Sequence, residues 1–212
     1  MERIAWKRAL IAVLDLLLPQ SDEERLAEDA TLAELLAAQT ASTSAEWFAP
    51  LPYRDKKVKA LIWTLKYRER RASAELLSEA LAEFLTEELA DKKLFGFEKP
   101  LLIPMPLAKK RRQERGFNQC EMLCESLLKL MPELEYEPAL LRKGKETAPQ
   151  TKLKSRKERE QNLDGAFAVG DVYGRNVIVL DDVITTGSTM REVKKVLLEA
   201  RAKDVWCVAC AH

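Results

Sequence analysis

From Pro100 to the end of the chain, short apolar runs alternate with segments of helical periodicity. The runs are LLIPMP, PALL, GAFAV, VIVLDDVI and VWCVACA, and NQCEMLCESLLKLM is a clear helical segment between two of them. Strands that are apolar on both faces and separated by helices predict an α/β fold, with a mostly parallel, twisted sheet covered by helices on both faces. In such a sheet, ligands bind at the carboxyl ends of the strands, so a binding site is expected there.

The first part of the chain has a different pattern. Residues 2–18 predict an amphipathic helix that ends at Pro19, and residues 21–46 are acidic, rich in alanine and predicted to be helical. We therefore expect a helical, acidic N-terminal extension over residues 1–52 and one α/β domain over residues 53–212.

Two helices are predicted between the extension and the first strand. The segment VKALIWTLKY has one apolar face, and a second helix is expected from Ala74 to Leu89. The apolar face consists of Val58, Leu61, Ile62 and Leu65. We expect both helices to cover the sheet. Lys66 and Trp63, on the first of them, are interpreted as packing residues whose polar atoms reach solvent, not as site residues.

Charge and hydropathy restrict the location and partners of the chain. The formal net charge is +1, so nothing in the overall charge indicates a nucleic acid or a membrane as a partner. The apolar run from Ala9 to Leu18 is too short to span a bilayer and contains Asp15. We expect no membrane insertion and a cytoplasmic location.

Four cysteines raise the question of a metal site or disulfides. Cys120 and Cys124 lie in a helical segment, whereas Cys207 and Cys210 lie three apart in a strand and should face opposite sides of the sheet. Small buried hydrophobic residues are the simpler interpretation, and a structural metal held by all four with His212 is the alternative.

The stretch VIVLDDVITTGST, residues 177–189, combines two carboxylates with a turn suited to an anion. Asp181 and Asp182 should emerge at the end of a buried strand, and the turn after them opens a helix whose N-terminus favours a phosphate. Vicinal hydroxyls of a ribose suit the carboxylates, so a sugar phosphate satisfies both halves. A Walker B strand is the alternative, but no G-x-x-x-x-G-K-[ST] accompanies it. The predicted phosphate turn consists of Thr185, Thr186, Gly187, Ser188 and Thr189.

Two strongly basic segments follow predicted strands. They are residues 109–115 (KKRRQER) and 142–159, and both are predicted to be loops. Such loops are usually functional or disordered, and a solvated surface is the alternative for each. Asn118, Gln119 and Asn162 are either ligands or turn and cap residues.

The motif of residues 177–189 resembles the phosphoribosyl pyrophosphate (PRPP) binding motif of type I phosphoribosyltransferases. The wider chain, over about residues 53–212, resembles the ComF family of phosphoribosyltransferase-like proteins. The residues that carry this second resemblance are LIWTLKY at 61–67, PMPL at 104–107, Arg111, RGFNQ at 115–119, Gln150, Arg159 with Asn162, and Ala166 with Phe167. Many ComF proteins begin with a cysteine-rich zinc ribbon, but no cysteine precedes Cys120, so that metal site is not carried over.

The resemblance implies a type I phosphoribosyltransferase-like fold that transfers a ribosyl 5-phosphate from PRPP and Mg²⁺ and releases pyrophosphate. Asp181, Asp182, Arg115 and Arg159 would be catalytic, and PRPP would carry Mg²⁺ to the two acids without a direct protein metal site. Asp181, Asp182 and residues 185–189 would bind PRPP. The candidates for pyrophosphate binding or for a lid are Arg111, Arg115, Lys143, Lys145, Gln150 and Arg159, with Arg156 as an alternative to the last.

Several functional questions stay open. The acceptor is not indicated, although Trp47, Phe48 and Tyr53 could stack on a base or pack in the core. A non-catalytic component of DNA uptake that contacts single-stranded DNA or competence proteins, and a sensor of PRPP or a nucleotide, are the alternatives to an enzyme. A homodimer is also compatible with the sequence.

Overall fold

The computed structural model describes residues 20–40, 43–44, 46–144 and 167–212. The predicted helix over residues 2–18 and the apolar run from Ala9 to Leu18 lie outside these ranges, as do Lys145, Gln150, Arg156, Arg159 and Asn162.

The acidic extension forms two short helices as predicted, but Thr43–Ser44, within the segment predicted to be helical, is a strand. Helix α1 spans Asp22–Glu28 and α2 spans Leu32–Ala37. Each begins with a capping box, in which the hydroxyl of Ser21 or Thr31 accepts a backbone N–H while a glutamate three residues later accepts the N–H of the cap residue. The caps explain why two such short helices begin where they do.

Two longer helices cover one face of the sheet. Helix α3 spans Lys56–Arg68, and α4 spans Arg71–Leu94, so both predicted helices are confirmed. Acidic side chains of the extension pair with basic side chains at the ends of α3 and just beyond it, as in Lys57 with Glu34 at 2.6 Å and Arg68 with Glu24 at 2.8 Å. The acidity of the extension is therefore matched to the helices on which it packs.

The main sheet has six strands in the order β1-β2-β8-β7-β3-β4. All neighbouring strands are parallel except β1 and β2. The strands are β1 (Thr43–Ser44), β2 (Trp47–Phe48), β3 (Leu101–Pro104), β4 (Glu135–Tyr136), β7 (Asn176–Val183) and β8 (Asp204–Ala211). The mostly parallel sheet is thus confirmed, and β2 adds a strand from the segment before residue 53 by pairing Phe48 with Val208.

Two predicted strands of the main sheet lie elsewhere. PALL and GAFAV were expected to belong to the parallel sheet, but β5 (Leu141–Lys143) and β6 (Phe167–Val169) form a separate antiparallel pair. Periodicity identifies a short apolar run without revealing its pairing partner, which explains the error.

Three further helices complete the described structure. They are α5 (Lys109–Arg115), α6 (Gln119–Leu130) and α7 (Ser188–Glu199). Residues 109–115 were predicted to be a loop, and this prediction is wrong. Charged side chains tolerate a short solvent-exposed helix, here ended by Gly116 at φ 87°.

The core lies on both faces of the sheet. Ile178 and Leu180 of β7 pack against the side covered by α3, α4 and α6, whereas Val177 and Val179 pack against the side covered by α7. All four cysteines are buried and free, and Cys207 and Cys210 face opposite sides of the sheet as predicted. Among the helices that the structure describes, none combines the length and apolar character needed to cross a membrane.

Candidate functional site

The two acids lie at the carboxyl end of β7, where the pattern predicted them. Asp181 is partly exposed, whereas Asp182 is buried with 4% of its surface exposed. The Asp181 Oδ1 atom accepts the backbone N–H of Asp182 at 2.8 Å and the thiol of Cys120 at 3.4 Å. Adjacent residues of a strand point to opposite faces, so the two carboxylates have different surroundings.

Asp182 is held by two side chains from other elements. Lys66 Nζ lies 3.0 Å from Asp182 Oδ1, and Gln119 Nε2 donates to Asp182 Oδ2 at 2.9 Å. Both carboxylate oxygens of Asp182 therefore have a partner within the protein. The interpretation of Lys66 as a packing residue is wrong, because its ammonium group is the counter-ion of a site carboxylate.

The sequence carries one signal that bears on Lys66. Ile62 lies one helical turn earlier in α3 and is fully buried, so Lys66 follows it on the face that packs against the sheet. A lysine at such a position needs either a path to solvent or an acidic partner. The sequence alone did not distinguish these two outcomes.

Burial and charge perturb the ionisation of the cluster. Burial, reinforced by the neighbouring Asp182 carboxylate, raises the pKa of Asp181 above the ordinary range of an aspartate. For Lys66, burial disfavours the charged form, but the charges of Asp182 and Asp181 outweigh burial and raise its pKa. Burial also raises the pKa of the Cys120 thiol. The site therefore holds a protonated lysine, a protonated thiol and one carboxyl group that resists ionisation.

The turn after β7 opens a helix, as predicted. Gly187 is the N-cap residue of α7 and has φ 69°, a left-handed conformation that glycine adopts readily. The hydroxyls of Thr186 and Ser188 lie 3.0 Å apart. One pocket is lined by Asp181 and by residues 183–190. The predicted phosphate turn and the more exposed of the two acids thus share a pocket.

Trp47 closes one side of the turn. A Cβ atom at Gly187 would lie 2.3 Å from the Trp47 ring, so only glycine fits there on steric grounds as well. The guanidinium of Arg191 lies 5.6 Å from the centre of the same ring and donates to the Thr186 carbonyl at 2.6 Å. The segment before residue 53 therefore supports the turn directly.

Two arginines of α5, Arg112 and Arg115, have different partners. Arg115 Nη1 donates to Gln119 Oε1 at 2.9 Å, so it connects to Asp182 through Gln119. Arg112 instead forms a bidentate pair with Glu121 at 2.6 and 3.1 Å. Of these two arginines, the structure joins Arg115 to the acids.

Arg111 of α5 and Lys143 of β5 influence each other electrostatically. Arg111 is exposed, and Lys143 is half-buried on β5. Burial lowers the pKa of Lys143, the charge of Arg111 lowers it further, and Asp181 partly opposes both effects. Lys143 is thus within electrostatic range of Asp181 and Arg111. Lys145, Gln150 and Arg159 lie outside the described residues.

Asn118 and Gln119 have different roles. Asn118 Oδ1 accepts the backbone N–H of Cys120 at 3.0 Å and caps α6, while its amide donates to the Met105 carbonyl at 3.1 Å. For Asn118 the interpretation as a cap is confirmed. Gln119 instead bridges Arg115 and Asp182.

An aromatic cluster beside the acids was not predicted. Tyr67 follows Lys66 in α3 and is an exposed residue. The Arg115 guanidinium lies 5.4 Å from the centre of this ring, and Trp63 contacts the ring with centroids 5.6 Å apart. By contrast, Phe48 and Tyr53, predicted to stack on a base or pack in the core, pack in the core.

The donor set fits a magnesium ion that arrives with its substrate better than a resident ion. Ligand atoms of Cys120, Asp181 and Asp182 lie within 4.8 Å of one another. Mg²⁺ prefers oxygen ligands, and Asp182 already has partners for both oxygens, which leaves Asp181 as the suitable side chain. The expected Mg²⁺ remains a prediction.

The chain is similar to several known proteins. Residues 128–212 match the model of the phosphoribosyl transferase domain. The chain is 36% identical over 152 residues to the DNA utilization protein YhgH of Escherichia coli (strain K12), covering 70% of this chain and 65% of that protein. It is 37% identical over 130 residues to the competence protein ComFC of Streptococcus pneumoniae (strain ATCC BAA-255 / R6), covering 61% of this chain and 54% of that protein.

A solved structure of phosphoribosylpyrophosphate synthetase from Mycobacterium smegmatis shares 21% identity, with a TM-score of 0.37 over 63% of this chain and 32% of that one. The chain spans just under two thirds of YhgH and about half of ComFC. These sequence matches show that residues 128–212 form a phosphoribosyl transferase domain and that the chain is similar to proteins named for DNA utilization and for competence.

Proposed function

We propose that this protein binds PRPP and transfers its ribosyl 5-phosphate to an acceptor with release of pyrophosphate. The observation that carries the proposal is the pocket shared by Asp181 and the turn of residues 185–189. A carboxylate beside an anion-binding turn suits a ligand with hydroxyls at one end and a phosphate at the other.

Asp181 and Asp182 have different roles in this proposal. The charge of Asp182 is balanced by Lys66, and its second oxygen accepts a hydrogen bond from Gln119, so its role is to hold α3, α6 and β7 together around the site. Asp181 is the carboxylate that lines the pocket, and the ribose hydroxyls would donate to it. This assignment refines the expectation that both acids face the diol.

The phosphate end would be held by the first turn of α7. Its N-terminal N–H groups have no intrahelical acceptor, and Gly187 has no side chain that could cap them. The helix dipole adds a favourable field for a 5-phosphate. The hydroxyls of Thr185, Thr186, Ser188 and Thr189 supply further donors.

The pyrophosphate would lie near Arg111 and Lys143. The positive charges of Arg111 and Lys143 repel each other, and an anion bound beside them would relieve this repulsion. Both cations would therefore favour the binding of pyrophosphate. The Arg115 side chain of α5 donates to Gln119, which in turn donates to Asp182. Lys145, Gln150 and Arg159 remain candidates for the same role.

The reaction needs stabilisation of charge more than a nucleophilic side chain. As pyrophosphate leaves, positive charge develops on the ribose, and the ionised Asp181 beside it would stabilise that charge. Bound Mg²⁺ would offset the negative charge of the leaving group. The sole histidine, His212, is not required for this chemistry.

The transfer step is tested by a pyrophosphate-release assay with purified protein, PRPP, Mg²⁺ and a panel of bases and amines. We expect release that depends on an acceptor, that falls in Arg111→Ala and that is lost in Asp181→Asn. Asp91→Asn changes an exposed acid on α4 and serves as the matched control. Binding of PRPP without release for every acceptor would instead support a sensor.

The names of the relatives favour one alternative, a non-catalytic part in DNA uptake or use. Under this alternative the basic residues of α5 and of the segment after Leu141 would contact the phosphate backbone of single-stranded DNA or a competence protein. Affinity for single-stranded DNA would then fall steeply with salt and would drop in a variant with Lys152, Lys154 and Lys157 changed to alanine. A flat salt response would count against it.

A further inference from the structure

Arg191, near the start of α7, binds two consecutive carbonyl groups of the turn that precedes this helix. Its side-chain Nη2 atom donates to the Thr186 carbonyl at 2.6 Å, and its backbone N–H donates to the Gly187 carbonyl at 2.9 Å. Thr186 and Gly187 both line the pocket to which Asp181 also contributes. One residue therefore holds both peptide groups that flank the Gly187 Cα atom.

The direction of these carbonyls determines the direction of the N–H groups in the same peptides. A peptide group is planar, and in the trans form its C=O and N–H bonds point in opposite directions. No cis peptide bond occurs among the residues that the structure describes. The N–H groups of Gly187 and Ser188 therefore point away from Arg191. They lie at the N-terminus of α7, where N–H groups have no acceptor within the helix.

The Arg191 side chain is itself held by the segment before residue 53. Its Nη1 atom donates to Glu46 Oε2 at 3.1 Å, and its guanidinium lies 5.6 Å from the centre of the Trp47 ring. A planar guanidinium that is fixed in this way loses little conformational entropy when a ligand binds beside it. The carboxylate of Glu46 also offsets the charge of Arg191, so the main contribution of Arg191 to the turn is geometric.

We propose that Arg191 is a positioning residue for the 5-phosphate, which it serves by keeping the N–H groups of Gly187 and Ser188 directed at the ligand. The inference rests on the proposed function and adds to the same site a residue outside the turn of residues 185–189. Without the guanidinium, the peptide between Thr186 and Gly187 loses the contact that sets its orientation. A carbonyl oxygen turned toward the phosphate would repel it, whereas an N–H group attracts it.

The first test measures the dissociation constant of ribose 5-phosphate by calorimetry in the full chain. We expect Arg191→Ala to weaken binding about tenfold or more, which is the equivalent of one hydrogen bond to a charged group. Arg191→Lys keeps the positive charge but not the planar fork, so its binding should stay at least about threefold weaker than that of the parent protein. Lys195→Ala is the matched control, because it removes an exposed positive charge one helical turn further along α7, and its affinity should stay within about twofold of the parent value.

The second test follows the orientation of the N–H groups separately from affinity. In ¹H–¹⁵N spectra of the parent protein, saturating ribose 5-phosphate should shift the amide resonances of Gly187 and Ser188, because these groups donate to the phosphate. In Arg191→Ala at saturation these shifts should be much smaller. The resonances of β7 and β8 should keep their parent positions in the same spectra, which would show that the variant is folded.

Three results would overturn the inference: parent affinity in Arg191→Ala, full recovery of affinity in Arg191→Lys, or parent-like shifts of Gly187 and Ser188 in Arg191→Ala. Full recovery in the lysine variant would mean that charge alone is required. If ribose 5-phosphate does not bind the parent protein, the proposed phosphate site itself fails and the role of Arg191 fails with it. That result is distinct from binding that does not depend on Arg191.

Discussion

Lys66 Nζ lies 3.0 Å from Asp182 Oδ1, and this ion pair joins α3 to the carboxyl end of β7. The side chains of Lys66 and Asp182 are 20% and 5% exposed. A carboxylate so little exposed needs a counter-charge, and the protein supplies it without a ligand. The neighbouring Asp181 is left as the acid that meets the pocket.

Replacing Lys66 with methionine should destabilise the protein. The change leaves the Asp182 carboxylate buried without its cation, and removing one partner of a buried pair costs about 3 kcal/mol. Urea unfolding monitored by circular dichroism would measure this loss in the free energy of unfolding.

The same experiment has two controls. Lys59→Met alters an exposed lysine of the same helix and should change the free energy of unfolding by less than about 0.5 kcal/mol. Combining Lys66→Met with Asp182→Asn removes both charges and should recover a large part of the loss. A Lys66→Met protein as stable as the parent would contradict the assigned ion pair.

Replacing Asp181 with asparagine should make the protein more stable at neutral pH. The pKa of Asp181 is raised in the folded state, so the residue favours folding when protonated, and this contribution is lost as the pH rises through the folded-state pKa. Above that pKa the ionised carboxylate is a net cost, which asparagine removes, for a gain of about 1 kcal/mol. Thermal unfolding of both proteins would show a difference that grows with pH, and equal stability at every pH would oppose this explanation.

The affinity for PRPP should rise with pH as Asp181 ionises, since the ionised carboxylate accepts the ribose hydroxyls. Because the pKa of Asp181 is raised, this rise should be centred above the ordinary aspartate value of about 4. The Lys66 charge lowers the pKa of Asp181, so Lys66→Met should move the midpoint to higher pH. Calorimetric titrations of parent and variant over the same pH series cancel the titration of PRPP itself. An unchanged midpoint would show that Lys66 acts only on stability.

Gly187→Ala should be more harmful than alanine at a comparable glycine. Gly187 has φ 69° and a Cβ there would meet the Trp47 ring at 2.3 Å, whereas Gly174 has φ 66° and nothing within 4 Å of a Cβ. Gly174→Ala should cost about 1 kcal/mol of backbone strain, and Gly187→Ala about 2 kcal/mol or more. The free energy of unfolding of Gly187→Ala should partly recover on adding Trp47→Ala, and equal costs at the two glycines would argue against the contact with Trp47.

The sequence predicted the central part of the fold and of the site. β7 and β8 are apolar on both faces and so are recognisable as buried parallel strands, and the turn of residues 185–189 that opens α7 follows from its own residues. Asp181 and Asp182 lie near the carboxyl end of β7, which continues to Val183. Local pattern is sufficient for these features because each depends on neighbours along the chain.

Features that depend on distant residues were not predictable in the same way. The pairing of β5 with β6 and the contact of Trp47 with Gly187 join segments more than twenty residues apart. Lys66 shows the same limit, because its spacing places it on the buried face but does not identify Asp182 as its partner. The helical state of residues 109–115 was missed because the segment has almost no apolar periodicity.

In the proposed function, Asp181 and the turn of residues 185–189 bind the two ends of PRPP. Isothermal titration of PRPP with Mg²⁺ into the parent protein, Asp181→Asn and the control Asp91→Asn tests this claim most directly. We predict saturable binding to the parent and to Asp91→Asn, and a loss of affinity of at least about tenfold in Asp181→Asn, which corresponds to about 1.4 kcal/mol. Equal affinity for PRPP in the parent and Asp181→Asn would contradict the account.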